Sequence, residues 1–395
     1  MDVAELKQRA VAKIDALGNE LIRISSEIHC HPEVAFQEFR AAALASDTLC
    51  EYGFHVERGI GGLETAFRAE AQGKPGGPTI AILAEYDALP DIGHACGHNI
   101  IATAAIGAGI AVQSVIDRLA GTIAIIGTPA EEGGGGKIIL LEHGVFNDVD
   151  AAMTVHPSCW NLVDGRSLAS TRLKVEFTGK ASHAAAAPED GINALEAVIL
   201  TFNNVNALRL HLRDDVRVHG IITHGGTASN IIPDFAAAVF SVRATERTVA
   251  DQVLGRVIHC AEAAGMATGA QLNYSVKVGY DEMIPNRVMA NLFAENWRAI
   301  GVEIDAHPPH EGMASTDMGN ISHALPTIHP YVAIAPVGTA GHTAEFREAA
   351  ISPAGHLGMM RAAKGLAMTA IDLLSNPALM QQVKQEFARV MGKTG

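Results

Sequence analysis

The chain has 395 residues, of which 48% are hydrophobic and 18% charged, and its formal net charge is −14. That length exceeds what one core usually serves, so two domains are expected, and the apolar content excludes a disordered chain. The acidity and the absence of a Lys/Arg cluster exclude a nucleic-acid partner, though not an anionic small molecule in a locally built pocket.

The first residues are charged and carry no apolar signal core, which makes the cytoplasm the expected location. Cys30, Cys50, Cys96, Cys159 and Cys260 are odd in number and irregularly spaced, which argues against a disulfide framework. Apolar residues recur at helical spacing over 3–28, and a second helix is expected over about 38–52. Residues 79–84, 122–126 and 151–155 are continuous apolar runs that read as strands covered on both faces. The apolar stretch 100–116 is too short and too rich in Ala and Gly to span a membrane, so it reads as a buried helix. Near residue 170 the pattern changes. Residues 171–177 alternate strictly, strands are expected over 234–243 and 271–278, and helices over about 191–212 and 247–264. The order strand, helix, strand, strand, helix, strand is that of a split βαβ unit. Residues 170–282 are therefore expected to form an inserted α+β domain of ferredoxin-like type, and 1–169 with 283–395 an α/β domain with a mixed central sheet covered by helices. In the latter, helices are expected over about 287–300 and 353–374, around a strand near 328–335.

Ligands in open α/β sheets gather beyond the carboxyl ends of strands. Asp87 follows the first apolar run, Glu131 and Glu132 the second, and His156 the third. Cys96 and His98 stand two apart, just before the buried helix. His342 lies far downstream in Gly341-His342-Thr343. A soft thiolate, imidazoles and paired carboxylates are the donors that two adjacent divalent ions and a water-activating base require. The glycine run 133–136 is not a phosphate loop, because Lys137 is followed by Ile138 rather than Ser or Thr.

The motifs His31-Pro-Glu33, 84–90, 94–98, Pro129-Ala-Glu-Glu132, His156-Pro157, 179–183, 225–230, Arg243, Ser315-Thr-Asp317 and Gly341-His-Thr343 run in order along nearly the whole chain. In this set the chain resembles the aminoacylase and carboxypeptidase family of dinuclear metallopeptidases, and most closely its amidohydrolase branch. The resemblance implies a catalytic metal-binding domain and an inserted dimerisation (lid) domain. It implies that Cys96, His98, Glu132, His156 and His342 hold two divalent ions per subunit, zinc or manganese with cobalt possible, Cys96 bridging them. It assigns the general base to Glu131, oxyanion stabilisation in a partner subunit to His183, and the substrate α-carboxylate to Asn230 and Arg243. Many members carry a His two residues before Asp87; Glu85 stands there instead, so Asp87 is taken as a support for the ligands and Glu85 is left out of their set. Asn99 replaces the usual Asp after Gly97-His98. The expected activity is hydrolysis of the amide bond of N-acyl or N-aroyl amino acids or dipeptides by a metal-activated water, in a homodimer. The alternatives are a dipeptidase or carboxypeptidase proper, or an inactive protein that binds amino-acid conjugates.

Overall fold

The computed structural model describes residues 2–307 and 314–392, the side chain of Val278 excepted. In chain order the elements are α1 Val3–Ala16, α2 Gly18–Cys30, α3 Phe39–Glu51, β1 His55–Arg58, β2 Phe67–Gln72, β3 Lys74–Ala84, α4 His98–Gln113, β4 Ala120–Gly127, α5 Gly136–Glu142, β5 Ala151–Met153 and β6 His156–Ser158. They continue with β7 Ala169–Thr178, α6 Ala194–Arg209, β8 Arg217–His224, β9 Phe235–Ala244, α7 Arg247–Thr268, β10 Gln271–Val278, α8 Arg287–Ala299, α9 Met318–Ala324, β11 Thr327–Ile328, β12 Tyr331–Ala333, α10 Ala344–Ala349, α11 Pro353–Ser375 and α12 Pro377–Val390. Among the described residues no helix is long and apolar enough to cross a membrane.

The chain divides into two compact units. The second comprises Ser167–Glu282 and a short segment ending at Gly319, and the first comprises the rest.

The first unit is built on a mixed sheet of order β1-β2-β4-β3-β5-β11. β3, β4, β5 and β11 run parallel, and β1 and β2 are antiparallel additions. The β3–β4 register pairs Ala84 with Gly127, so these two strands stop side by side and their following loops leave from adjacent points. α4 is buried from His98 to Val112, packed by α1, α2, α3 and α11 and by β3 and β4. That enclosure is why its sequence is apolar on every face.

Two expected elements are broken. The helix expected over 3–28 splits at Leu17 into α1 and α2, yet Leu17 and Leu21 stay in the core, so the apolar spacing runs straight through the break. The strands expected over 151–155 and near 328–335 are each cut in two. β5 ends at Met153, and His156 opens β6, which pairs in parallel with β12 in a separate two-stranded sheet. Pro157 and Pro330 lack the N–H that a continuous ladder would use.

The second unit is a four-stranded antiparallel sheet of order β10-β7-β9-β8, which is the ferredoxin-like arrangement, with α6 and α7 against it. Leu173, Val175 and Phe177 of β7 are fully buried while Arg172, Lys174 and Thr178 are exposed. β8 is an edge strand, and its Ile221 and Ile222 are exposed.

Candidate metal centre and substrate-binding residues

Seven of the candidate residues converge in the first unit, at the carboxyl ends of β3 and β4 and the start of β6. The loop after β3 carries Asp87, Cys96 and His98. Gly97 sits between the last two at φ 79°, and a Cβ there would stand 2.8 Å from the Pro157 ring. Only glycine lets this turn press against His156-Pro157. The loop after β4 carries Glu131 and Glu132. It passes through Ala130 at φ 61°, and a Cβ on Gly136 would stand 1.9 Å from the Pro129 carbonyl.

The donors form three overlapping sets whose ligand atoms lie within 4.8 Å of one another: Cys96, His98 and His156; Cys96, Glu132 and His342; and His98, Glu131 and Glu132. Cys96 belongs to the first two, so one sulfur is common to two neighbouring positions. Its Sγ lies 3.3 Å from His156 Nε2, and His342 Nε2 lies 3.6 Å from Glu132 Oε2. His98 Nε2 lies 3.8 Å from Glu132 Oε1 and 4.0 Å from Glu131 Oε2.

The two buried histidines are set to offer the same nitrogen. His98 Nδ1 meets Asp87 Oδ1 at 3.0 Å, and His156 Nδ1 meets the Pro157 carbonyl at 2.7 Å. Each Nδ1–H donates to its acceptor, and each Nε2 is left with a lone pair aimed into the cluster. Asp87 also accepts from the Glu132 amide at 2.9 Å through its other oxygen. One carboxylate thus orients both an imidazole and the acid loop. The His342 amide donates to the Ala95 carbonyl at 3.0 Å, which ties the downstream loop to the cysteine turn. His342 is the exposed member, its side chain 54% accessible, so this end of the cluster is open in the first unit.

The electrostatics fit a cation. Burial and the Glu132 carboxylate push the Cys96 thiol well up. Burial brings His156 down to about 4. Burial alone would lower His98 as well, but Asp87 outweighs it and holds the imidazolium well above its usual range. Without a cation the cluster is a set of lone pairs and carboxylates packed together, with His98 Nε2 and Glu132 Oε1 buried and lacking a hydrogen-bond partner among the described residues. A thiolate, imidazoles and carboxylate at these separations are the donors of a zinc-type centre.

The remaining candidates lie in the second unit. The Ala184 amide donates to the Asn230 carbonyl at 2.9 Å, which places His183 and Asn230 on neighbouring segments. His183 Nδ1 accepts the amides of Ala185 and Ala186, both at 3.2 Å, leaving Nε2 to carry the ring proton. Both residues are exposed, and a cleft of about 410 Å³ runs along residues 225–233 beside them. Arg243 lies on β9, half-buried, with no hydrogen-bond partner for its Nε among the described residues.

Several residues of the centre are not legible as such in the sequence. Glu38 is fully buried and accepts from the amides of Phe36 at 2.8 Å and Ala130 at 3.0 Å and from the Thr65 hydroxyl at 2.9 Å. It therefore clamps the loop that carries Glu131. Its only signal is an acid seven residues after His31. Glu85 and Lys137 form a buried ion pair of 2.8 Å beside His98. Asn99 donates to Ser25 Oγ at 2.9 Å and to the Ala350 carbonyl at 3.2 Å. An aspartate could supply neither donor, which explains the exchange noted in the sequence.

Acids and imidazoles at parallel strand ends, grouped around a shared thiol and accompanied by a ferredoxin-like unit, define a metal-dependent hydrolase. Residues 167–268 match the model of a peptidase dimerisation domain. The chain is 38% identical to the Xaa-Arg dipeptidase of Mus musculus over 97% of its length and 92% of that protein's. It is 31% identical to a p-aminobenzoyl-glutamate hydrolase of Escherichia coli, covering 95% and 94%. A dinuclear metal-binding peptidase of the M20 family from Bacillus subtilis superposes with a TM-score of 0.71 at 23% identity, over 91% of this chain and 99% of that one, and so shares the fold. The chain belongs to the M20 family of dinuclear, metal-dependent amidohydrolases.

Proposed function

We propose that the protein hydrolyses the amide bond of small conjugates ending in a free α-carboxylate, dipeptides foremost and N-acyl or N-aroyl amino acids after them. The observation that carries this reading is the position of two consecutive acids at the donor cluster. His98 Nε2 stands 4.0 Å from Glu131 Oε2 and 3.8 Å from Glu132 Oε1, so one carboxylate can bind an ion while its neighbour handles a proton. Cys96, His98, Glu132, His156 and His342 hold two divalent ions, and zinc, manganese or cobalt suits such donors. When bound, the ions supply an electrophile for the scissile carbonyl and lower the pKa of the attacking water.

The chain's own residues do the rest. Asp87 keeps both the His98 ring and the Glu132 backbone in place. Glu131 accepts the proton of the attacking water and returns it to the leaving amine. His183 donates its Nε2–H to the oxyanion. Arg243 forks onto the α-carboxylate, and Asn230 adds an amide donor. The protein pairs with a second copy through its second unit, and His183 acts in the partner's centre. The matched dimerisation domain and the exposed apolar edge at Ile221 and Ile222 support this pairing. The preference for dipeptides rests on the extent of likeness to a dipeptidase over almost the full length.

A panel of dipeptides, N-acetyl amino acids and aroyl-glutamates, assayed with zinc, manganese or cobalt, tests the reading. Turnover confined to compounds with an unblocked α-carboxylate is the expected result. A protein that takes up metal and turns over none of them would point instead to a conjugate-binding role.

A further inference from the structure

Two buried acceptor atoms in the first unit face each other with no donor between them. Glu85 follows β3 and is fully buried. Its Oε1 pairs with Lys137 Nζ at 2.8 Å. Its Oε2 has no hydrogen-bond donor and lies 3.6 Å from His98 Nε2, which is also buried and without a partner among the described residues. His98 already gives its other ring proton to Asp87. A separation of 3.6 Å is too long for a hydrogen bond, so a shared proton does not satisfy the pair. It matches two ligands across a tetrahedral ion, which stand about 3.4 Å apart for metal–ligand bonds of about 2.0–2.2 Å.

Lys137 accounts for only half of this carboxylate. The lysine is fully buried in the first turn of α5 and reaches one oxygen, while the other is turned toward His98. Lys137 thereby keeps Glu85 ionised beside Asp87 without occupying the oxygen nearest the centre. Burial opposes that charge, but Lys137 and His98 outweigh it and bring the Glu85 carboxyl down to about 2. His156, the third member of the donor set with Cys96 and His98, is also close enough to act on Glu85 electrostatically.

We propose that Glu85 is a further ligand of the ion held by Cys96, His98 and His156, with Lys137 as its counter-ion. The inference rests on the reading of this cluster as a metal centre. It makes the two positions unlike. The first gains four protein donors and is closed; the second, with Cys96, Glu132 and the exposed His342, keeps an open coordination site. Water and substrate are then received at the second position alone.

The test is metal titration of the stripped full-length protein against a chromophoric chelator, with cobalt absorption reporting coordination number. The unaltered protein is expected to bind two ions per chain in two phases. Glu85→Gln is expected to weaken one phase about 10–100-fold and shift its cobalt spectrum toward higher coordination, as water replaces the carboxylate, leaving the other phase unchanged. Glu85→Asp, which keeps the charge and withdraws the oxygen, is expected to behave likewise. Glu85→Gln combined with Lys137→Met removes both charges at similar volume and is expected to stay as weak as the single variant, with folding of the metal-free proteins checked by circular dichroism. Two intact phases in folded Glu85→Gln or Glu85→Asp would overturn the proposal. Full recovery in the double variant would too, since it would reduce Glu85 to a partner for Lys137. If the unaltered protein takes up no metal, both the proposal and the metal-centre reading fail, an outcome distinct from these.

Discussion

The first unit holds its functional side chains rigidly, and the second presents them loosely. Around Cys96, five carboxylates and three imidazoles are buried or nearly so, and most are fixed by a named partner: Asp87 on His98, Glu38 on the Ala130 amide, Lys137 on Glu85. In the second unit His183 and Asn230 are exposed and held by backbone contacts, and Arg243 is half-buried on a strand. A bond-breaking centre needs fixed donors, because misplacement by an ångström forfeits much of the rate. Residues that grip and release a substrate can be fewer and more open. The division of labour is therefore between a preformed centre and an adaptable clamp, and each variant below strains one side of it.

The largest effect is expected from Glu131→Gln, which removes the proposed proton acceptor. Turnover should fall by about 10²–10⁴-fold with both ions retained by elemental analysis. Loss of an ion instead would make Glu131 a ligand, as its membership of the third donor set allows. His183→Ala should lower kcat by about 10²–10³-fold with little change in KM. Mixed dimers of His183→Ala and Glu131→Gln chains should regain part of the activity, and dimers that form without regaining any would place His183 in its own chain's centre. Arg243→Ala should raise KM about 10–100-fold, given about 1.5–3 kcal/mol for each charge-assisted bond. The penalty should vanish for substrates whose α-carboxylate is amidated, and an equal penalty on both would refute the clamp.

The smallest effect concerns Glu38. Burial raises its carboxyl above the usual carboxylate value, against the Thr65 and Phe36 hydrogen bonds. The folded chain then holds this proton more tightly than the unfolded chain does. Its contribution to stability is full below the unfolded value and is lost as pH rises through the folded one. Glu38→Gln should flatten that part of the Tm-against-pH curve. An unchanged curve would show that Glu38 is not buried in its charged form.

How much of this was readable in the sequence follows from what each residue depends on. Asp87, Glu131 and Glu132 were legible because continuous apolar runs mark parallel strands and ligands gather where those strands end. The second unit was legible because β7 alternates so strictly that one face must be wet. The break at Leu17 was not, since the apolar spacing continues unaltered across it. Neither were the cuts that leave His156 in a strand of its own. Lys137 reads as a solvated lysine after a glycine run; only packing shows it to be fully buried against Glu85, a residue more than fifty positions away in the chain. Glu38 shares that limit, because its partners at Thr65 and Ala130 are brought to it by the fold.

The central claim is that Cys96 is common to two adjacent cation positions. The direct measurement is an anomalous-scattering map of crystals grown with zinc or manganese. The account predicts two peaks about 3.5–4 Å apart, both beside the sulfur of Cys96, one toward His98 and His156 and the other toward Glu132 and His342. A single peak, or none near that sulfur in crystals soaked with excess metal, would contradict it.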